Sequence, residues 1–160
     1  MKGTLALDAL ARTGVEHEVL TYEIDPALTD LGYGRAAAAA LGQDAASVFK
    51  TLVAMVDGKP VVAVVPVTTS VSLKALAAAA AGGKRAEMAE PAVAERLTGY
   101  VVGGISPLGQ RKPLPTVIDE SIVLLKRMYV SGGRRGLEIG LAPDDLVRLT
   151  DAVVAAIAVE

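Results

Sequence analysis

Lys50 is the charged residue of this chain whose setting most favours chemistry. It stands in V-F-K-T-L (48–52), after an aromatic residue and before β-branched residues that predict a buried strand. A lysine at this position either extends its ammonium group to solvent or turns it into a cleft. The first reading is a surface lysine and the second is a cationic donor in an apolar site, and spacing alone leaves both open.

A glycine pair, Gly103-Gly104, interrupts the aliphatic segment G-Y-V-V-G-G-I-S-P-L-G-Q-R-K-P-L-P (99–115). We expect a strand over 100–102 that leads into the pair. A glycine in a strand packs nothing, so it usually marks a bulge or a close approach to main chain. The pair lacks the G-x-G-x-x-G and G-K-[ST] contexts, which argues against a dinucleotide site or a phosphate loop. The segment therefore indicates main-chain contact with another ligand.

Other reactive residues are scarce. The sequence has no cysteine and one histidine, His17, which excludes thiolate ligands, structural zinc and a histidine cluster. A serine nucleophile would need His17 as its base, and we interpret this histidine as structural because it falls in a predicted strand. The pairs Asp119-Glu120 and Asp144-Asp145 diverge when they lie in a helix, so helix capping is favoured over paired-carboxylate chemistry.

Ser131, Tyr22 and Tyr100 decide nothing by themselves. Ser131 precedes Gly132-Gly133 and is typical of a turn. The two tyrosines are typical of half-buried positions in a sheet. A role for any of them needs a further argument.

The elements that must position these residues follow from periodicity and from helix and strand breakers. The clearest is a hairpin of two runs, 51–56 and 59–65, joined by Asp57-Gly58, the two-residue signal for a type I′ turn. Other strands are predicted over 15–22, 100–102, 116–118, 123–125, 128–130 and 137–141, with breaks at Pro26, Gly32 and Gly34. Helices are predicted over 4–13, 35–41, 91–97 and 143–157, besides one capped by Ser70 or Ser72 that runs through Ala81, and Asp44 is predicted to cap a short turn. This order favours a curved mixed sheet over a βαβ repeat.

Length and composition predict one domain over residues 1–160. Hydrophobic residues make up 52% of the chain, but one Phe and no Trp leave an aliphatic core, which favours a sheet with Ala-rich helices packed close to it. The longest uncharged apolar run is too short to cross a membrane, and no secretory signal is visible. We therefore expect a cytoplasmic protein with no membrane partner.

The formal net charge of −2 argues by itself against a nucleic-acid binder, yet it hides an uneven distribution. Residues 49–135 carry twelve basic and six acidic groups, a local charge of +6, whereas the segments before and after are acidic. The basic pairs are Lys84-Arg85, Arg111-Lys112, Lys126-Arg127 and Arg134-Arg135. Two interpretations stay open, a solvated surface and a patch that meets phosphates.

Several motifs follow one another along nearly the whole chain. They are T-Y-E (21–23) before Asp25-Pro26, V-F-K-T-L (48–52), K-R-A-E-M-A-E-P (84–91), T-G-Y-V-V-G-G-I-S-P-L-G-Q (98–110), L-P-T-V-I-D (114–119) and Y-V-S-G-G-R-R-G-L-E-I (129–139). Together they closely resemble the YbaK family of Cys-tRNA(Pro) deacylases, free-standing relatives of the editing domain in prolyl-tRNA synthetases. The likeness is highly specific for the superfamily and less specific for the misacylated tRNA that is cleared.

The resemblance implies a single α/β domain with a curved, barrel-like mixed sheet flanked by helices, whose cleft holds the acylated 3′ end of tRNA. It assigns the family's essential lysine to Lys50, which would hold the aminoacyl-adenosine end. The glycine whose main chain meets the substrate falls on Gly103. Further substrate-binding residues are implied at Tyr22, Tyr100, Gly104, Ser106, Ser131 and Glu138. Close relatives carry Asp where this chain has Glu138, so the reach of that carboxylate is changed, and no cofactor or metal is implied.

The implied reaction needs no catalytic cysteine or histidine. If the substrate's cysteine thiol attacks its own ester carbonyl, the nucleophile is already tethered, which can be worth an effective molarity of roughly 10⁵ to 10⁸ M. Lys50 and main-chain groups near Gly103 would then stabilise the oxyanion. Two alternatives stay open, an editor of another small amino acid such as alanine that uses water, and a non-catalytic module that binds tRNA ends or a synthetase. Whether this chain or a bound prolyl-tRNA synthetase reads tRNA identity also stays open.

Overall fold

The computed structural model describes residues 3–23 and 33–160, which form five α-helices and ten β-strands in a mixed α/β fold, as predicted. The helices are α1 (Leu5–Thr13), α2 (Tyr33–Leu41), α3 (Leu73–Ala79), α4 (Pro91–Thr98) and α5 (Pro143–Thr150). The strands are β1 (His17–Thr21), β2 (Phe49–Val56), β3 (Lys59–Pro66), β4 (Ser70–Val71), β5 (Ala86–Met88), β6 (Thr116–Asp119), β7 (Met128–Ser131), β8 (Leu137–Leu141), β9 (Val153–Ala155) and β10 (Ala158–Val159). None of the helices in these ranges has the length and hydropathy that a transmembrane helix needs.

The strands form three sheets, and none of them closes into a barrel within the described residues. The largest has the order β5-β2-β3-β6-β9, in which β3, β6 and β9 run parallel while β2 pairs antiparallel with both β3 and β5. A second, antiparallel sheet has the order β1-β8-β7 and is linked to the start of β2 by a bridge between Val48 and Tyr129. The third pairs β4 with β10. The barrel-like curvature implied by the resemblance stays a prediction.

The hairpin of β2 and β3 sets the position of Lys50. Residues 49–56 pair with residues 66–59 without a slip in register, and Asp57 and Gly58 close the turn at φ 49° and 82°. Positive φ at both central positions confirms the predicted type I′ turn, which matches the twist of the two strands. Lys50 is thereby fixed one residue from the far end of the hairpin.

The five-stranded sheet buries aliphatic side chains on both faces, as the composition predicts. Val62 and Val64 of β3 belong to a core cluster that also contains Leu10 of α1 and Leu146 of α5. The alternate residues of β3 belong to a second cluster with Leu76 of α3. Because strand side chains alternate between the two faces of the sheet, β3 contributes to the core cluster on each face. Its sequence is therefore a continuous apolar run.

Local capping signals set several helix ends. Gly14 and Gly99 follow α1 and α4 in the left-handed region, at φ 70° and 83°, where glycine carries no steric penalty. Ser72, and not Ser70, caps α3 by accepting a hydrogen bond from the Ala75 amide. The Asp44 side chain caps a 3₁₀ turn over residues 45–47, as predicted.

Helix α5 ends at Thr150, so its predicted extension to Ile157 is wrong. Asp151 takes a left-handed conformation at φ 52° and stops the helix. Aspartate tolerates this conformation better than most residues because its short polar side chain bonds locally. The chain then adds β9 parallel to β6 and pairs β10 with β4, and the buried Ile157 lies between these strands.

The predicted strand over 123–125 is also wrong. Residues Glu120–Leu124 form a 3₁₀ turn, which the Asp119 carboxylate caps through the Ser121 amide. The apolar side chains of Val123 and Leu124 are exposed, so their hydrophobicity does not report a buried strand here.

Smaller corrections concern two helix boundaries. Gly34 lies inside α2 rather than in a loop. Helix α3 ends at Ala79, before the predicted Ala81. The predicted breaks at Pro26 and Gly32 lie outside the described residues.

Candidate functional site

A largely apolar cavity of about 330 Å³ opens where β2, β7 and β8 meet the start of α4 and the 99–115 segment. Apolar side chains such as Phe49, Val53, Met88 and Ile105 form most of its wall. The polar or glycine residues of the wall are Tyr22, Arg35, Lys50, Thr51, Gly103, Ser131 and Glu138. A concave, mostly apolar site with a few convergent polar groups is typical of ligand binding. In the described residues no group of three or more acidic or histidine side chains could hold a metal ion.

Lys50 is half-buried in this wall. Within the described residues it makes no ion pair or side-chain hydrogen bond. Burial lowers the pKa of its ammonium group, and the nearby Arg35 cation lowers it further. Strand β2 therefore brings to the cavity a cation whose donors have no partner among the described residues.

Glu138 brings a second titratable group to the cavity from β8, where its backbone pairs with Leu20 of β1 and Ser131 of β7. Glu138 is 6% exposed, and its Oε2 atom has no hydrogen-bond partner among the described residues. Burial raises the pKa of the carboxyl group to about 8. At neutral pH the group is mostly protonated, so it can donate as well as accept a hydrogen bond.

Tyr22 and Ser131 lie beside Glu138 in the cavity wall. Burial raises the pKa of the Tyr22 hydroxyl, and the charge of Glu138 raises it further. The Tyr22 amide donates to the Gly136 carbonyl at 3.0 Å, which fixes the chain as it leaves β1. The Ser131 hydroxyl accepts a hydrogen bond from the Gly133 amide, so it shapes a turn and faces the cavity as well.

Gly103 occupies a tight turn over 101–104, and the predicted strand over 100–102 is wrong. The Gly104 amide donates to the Val101 carbonyl at 2.9 Å, and Gly103 has φ 89°. A positive φ at the third position of a turn is the mark of type II and favours glycine. The Gly103 amide donates to no group in the described part of the chain. The cavity wall thus contains a glycine whose amide has no acceptor among the described residues.

Gly104 is required for a different reason. A Cβ atom at this position would lie 2.8 Å from the Cα atom of Arg134. The turn over 101–104 and the glycine-rich loop over 131–136 therefore pack main chain against main chain. Gly104 does not itself line the cavity.

Tyr100 and Ser106 also lie outside the cavity wall. The buried Tyr100 hydroxyl donates to the Leu108 carbonyl, and the Ser106 hydroxyl accepts from the Leu108 amide at 3.2 Å. Burial raises the pKa of Tyr100. Both side chains hold the 99–115 segment in shape.

The sequence interpretation missed two polar residues of the wall, Arg35 and Thr51. The Thr51 hydroxyl oxygen is buried with no hydrogen-bond partner among the described residues. Its position directly after Lys50 in a buried strand was a usable signal, since buried polar side chains need a reason. Arg35 gave no such signal, because it lies in an Ala-rich helix that only the tertiary fold brings to the cavity.

Known proteins similar to this chain identify its family. A family model described as the aminoacyl-tRNA editing domain matches residues 34–149, well over half of the chain. The chain belongs to the aminoacyl-tRNA editing domain family. Of the described residues that line the cavity, only Tyr22 lies outside the match, which confirms the resemblance found in the sequence.

Individual relatives of this editing domain agree with that assignment. This chain is 40% identical to an Enterococcus faecalis protein named "Putative Cys-tRNA(Pro)/Cys-tRNA(Cys) deacylase EbsC". The alignment covers 121 residues, which are 75% of this chain and 73% of that protein. A crystal structure of the hypothetical protein APE2540 superposes with a TM-score of 0.84 at 25% identity, covering 98% of this chain and 100% of that one. The crystal structure of "a putative trans-editing enzyme for prolyl tRNA synthetase" also superposes with a TM-score of 0.84, at 24% identity. The superposition covers 98% of this chain and 96% of that chain. This last likeness shows the same fold.

Proposed function

We propose that this editing domain is a trans-editing deacylase that clears Cys-tRNA(Pro), with Cys-tRNA(Cys) as a second candidate substrate. The observation that carries the proposal is the presence, in the wall of one apolar cavity, of Lys50 and of Gly103, whose amide has no acceptor among the described residues. Both groups are donors, and neither a histidine nor a cysteine lines the cavity. Such a wall suits an ester oxygen that gains negative charge while the nucleophile comes from the substrate.

Lys50 and the Gly103 amide would both face the carbonyl oxygen of the aminoacyl ester. Fixed donors in an apolar site act more strongly than donors in water, because the surroundings screen them less. Removal of one donor of this kind commonly lowers kcat by about 10² to 10³. Burial of Lys50, which lowers its pKa, belongs to the same arrangement.

The substrate would supply its own nucleophile. The cysteine sulfur attacks the carbonyl carbon of its ester, the bond from that carbon to the ribose oxygen breaks, and the thiol proton ends on the ribose oxygen. The products are a tRNA with a free 3′ end and a small cyclic thioester. Tethering of this kind can reach an effective molarity of about 10⁵ to 10⁸ M, so no protein nucleophile is needed.

Glu138, Tyr22 and Ser131 would hold the amino-acid part of the substrate. Glu138 Oε2 and Thr51 Oγ1 are buried atoms without a partner in the described structure, and each such atom costs roughly 1 to 3 kcal/mol. A ligand that bonds to both recovers this cost, and the α-amino group of an aminoacyl ester is a suitable donor. The implied residues that do not line the cavity would act by shaping the 99–115 segment, and they are Tyr100, Gly104 and Ser106.

Replacement of Lys50 tests the catalytic assignment. Lys50→Ala should abolish deacylation of Cys-tRNA(Pro), measured as loss of labelled cysteine from the tRNA. Lys59→Ala is a matched control, since it removes an exposed lysine from the same hairpin and should keep wild-type activity. Retained activity in Lys50→Ala would overturn the role of Lys50.

A substrate panel separates the proposed reaction from the two alternatives. Cys-tRNA(Pro) should be cleared, whereas Ser-tRNA(Pro) and Ala-tRNA(Pro), which lack a thiol, should persist. Clearance of all three would identify an editing hydrolase that uses water. Binding of every tRNA with clearance of none would identify a non-catalytic module.

The whole chain, residues 1–160, would form this one editing domain on a curved, barrel-like sheet, acting in the cytoplasm where translation takes place. Its direct partner would be the misacylated 3′ end of tRNA. The net charge of −2 favours recognition of tRNA identity by a bound prolyl-tRNA synthetase over this chain alone. Binding of tRNA across a salt series, with and without the synthetase, tests this point, and equal affinity in both arms argues against the partner.

A further inference from the structure

Charged side chains hold the two peptide groups on either side of Val102. Arg135 Nη2 donates to the Val102 carbonyl at 2.6 Å. The Val102 amide donates to the Glu95 carboxylate Oε2 at 2.8 Å. Glu95 lies on α4 and Arg135 lies in the loop between β7 and β8, so two separate elements anchor the turn over 101–104.

The Val102 carbonyl belongs to the same peptide group as the Gly103 amide. Type I and type II turns differ by a flip of this central peptide, so the flip decides where the Gly103 amide points. In a planar trans peptide the carbonyl and the amide point in opposite directions. Gly103 lines the cavity and Arg135 does not, so a carbonyl held by Arg135 leaves the amide on the cavity side.

We propose that Arg135 is a positioning residue, which holds the Val102 carbonyl and thereby keeps the Gly103 amide directed into the cavity as a donor to the substrate ester. Glu95 holds the preceding peptide in the same turn. A guanidinium group on the carbonyl also polarises the peptide, which strengthens its amide as a donor. The close packing of Gly104 on the main chain of Arg134 brings the two loops within reach. The catalytic role of the Gly103 amide rests on the proposed function. The anchoring of its peptide group by Arg135 does not depend on that function.

The first test reads the peptide directly and needs no substrate. In Arg135→Ala, the backbone amide resonance of Gly103 should shift and its hydrogen exchange should accelerate relative to the wild type. Arg96→Ala is the matched control, because it removes an exposed arginine from α4 next to Glu95 and should leave the Gly103 resonance in place. Arg135→Met keeps much of the apolar stem but has no donor, and it serves if the alanine variant does not fold. An unchanged Gly103 amide in a folded Arg135 variant overturns the proposal.

The second test reads catalysis with Cys-tRNA(Pro). Arg135→Ala should lower kcat about tenfold with little change in KM. This loss is smaller than the decrease in kcat of about 10² to 10³ that follows complete removal of a donor, because the turn still samples the productive orientation. Guanidinium ion at non-denaturing concentration should restore part of kcat in Arg135→Ala and none in Lys50→Ala. An effect confined to KM would identify Arg135 as a phosphate contact and overturn its positioning role. If the wild-type protein clears no member of the tRNA panel, the proposed function fails, while the amide measurement still decides the anchoring.

Discussion

Two acidic residues in this fold expose almost the same small fraction of their surface, but their carboxyl groups behave in opposite ways. Asp119 is 5% exposed and Glu138 is 6% exposed. Burial raises the pKa of both groups, but at Asp119 the hydrogen bonds that the carboxylate accepts more than offset it and lower the pKa. At Glu138 no hydrogen bond from the described residues offsets burial, and the pKa rises to about 8. The two groups differ in their partners, and the Glu138 carboxyl also lies deeper in the protein than the Asp119 carboxyl.

Asp119 ties the end of β6 to the last two strands. Its Oδ1 atom accepts from the amides of Ile157 at 3.0 Å and Ala158 at 2.9 Å, and its Oδ2 atom accepts from the Ser121 amide at 3.1 Å. A carboxylate with several amide donors is stabilised in its charged form. This group is therefore structural.

Glu138 lies among polar groups that have no hydrogen-bond partner in the described part of the chain. Three buried side-chain atoms lack a hydrogen bond among the described residues, and two of them, on Glu138 and Thr51, line the cavity. The third is the Ser121 hydroxyl, near Asp119. Native proteins satisfy most buried polar atoms, so unsatisfied ones that cluster in a cavity indicate a ligand that satisfies them. The comparison separates a polar group used for folding from polar groups kept available for binding.

Removal of the Asp119 carboxylate should have the largest effect on stability. Asp119→Ala leaves three amides without their acceptor, and only the Ile157 amide lies in a fully buried bond. Because a buried unpaired group costs roughly 1 to 3 kcal/mol, we expect a loss of about 1 to 3 kcal/mol. Urea denaturation measures this loss. At temperatures where the variant is folded, kcat should stay at the wild-type value, because Asp119 does not line the cavity.

The pH dependence of stability tests whether the charge of the Asp119 carboxylate stabilises the fold. A lowered folded-state pKa gives stability that is present above the ordinary pKa of 3.8 and is lost as pH falls through the folded value. The stability difference between wild type and Asp119→Asn should therefore shrink in acid. A difference that does not change with pH would show that the carboxylate charge contributes nothing.

Glu138→Gln should have an effect of the opposite sign. The wild-type free energy of unfolding should fall as pH rises from 4.5 towards about 8, because the folded state keeps a proton that the unfolded state has released. The slope from this group is at most about 1.4 kcal/mol per pH unit. Glu138→Gln has no ionisable group at this position. Its free energy of unfolding should therefore increase relative to that of the wild type as pH rises towards 8.

Urea denaturation at several pH values measures this gain, with Glu87→Gln as the control at an exposed position. If Glu138→Gln and the wild type depend on pH in the same way, Glu138 is not protonated in the folded state. The contrast between a raised pKa at Glu138 and a lowered pKa at Asp119 would then be wrong. If the contrast holds, Glu138→Gln should still lower the activity on Cys-tRNA(Pro), which Asp119→Asn should not.

Local signals explain which elements were predictable. Asp57-Gly58 specifies its own turn, and the hairpin that positions Lys50 was predicted to within two residues at its ends. Strands β9 and β10 were missed because their partners, β6 and β4, are distant in sequence, so the apolar residues after Asp151 read as a continued helix. Distant pairing, and not residue preference, decided the state of this segment.

The site divides in the same way. Lys50 and Gly103 were singled out from their local context, a lysine at a buried strand and a glycine in an aliphatic run, and the resemblance then implied their roles. The type II turn and the anchors on Val102 are tertiary features that no spacing reports. The pKa of Glu138 likewise depends on burial by the assembled sheets. Sequence patterns indicated the chemical groups, and the fold determined which of them have partners.

Lys50 extends the comparison to a cation, and Arg35 gives the smallest of the expected effects. Burial is the larger cause of the lowered pKa of Lys50, and Arg35 is the second. If Lys50 acts as a cation, activity should fall as pH rises through this lowered pKa. Arg35→Met removes the neighbouring charge, so this alkaline fall in kcat/KM should move to higher pH by a fraction of a pH unit, since burial remains.

Arg35→Lys is the matched control, because it keeps the charge and should leave the alkaline fall in place. The profile is measured on Cys-tRNA(Pro) after subtraction of uncatalysed ester hydrolysis. Movement of the fall to lower pH in Arg35→Met would contradict like-charge repulsion, and equal movement in both variants would assign the effect to packing. Movement in Arg35→Met alone would show that a neighbouring charge, as well as the absence of partners, tunes the groups of the cavity.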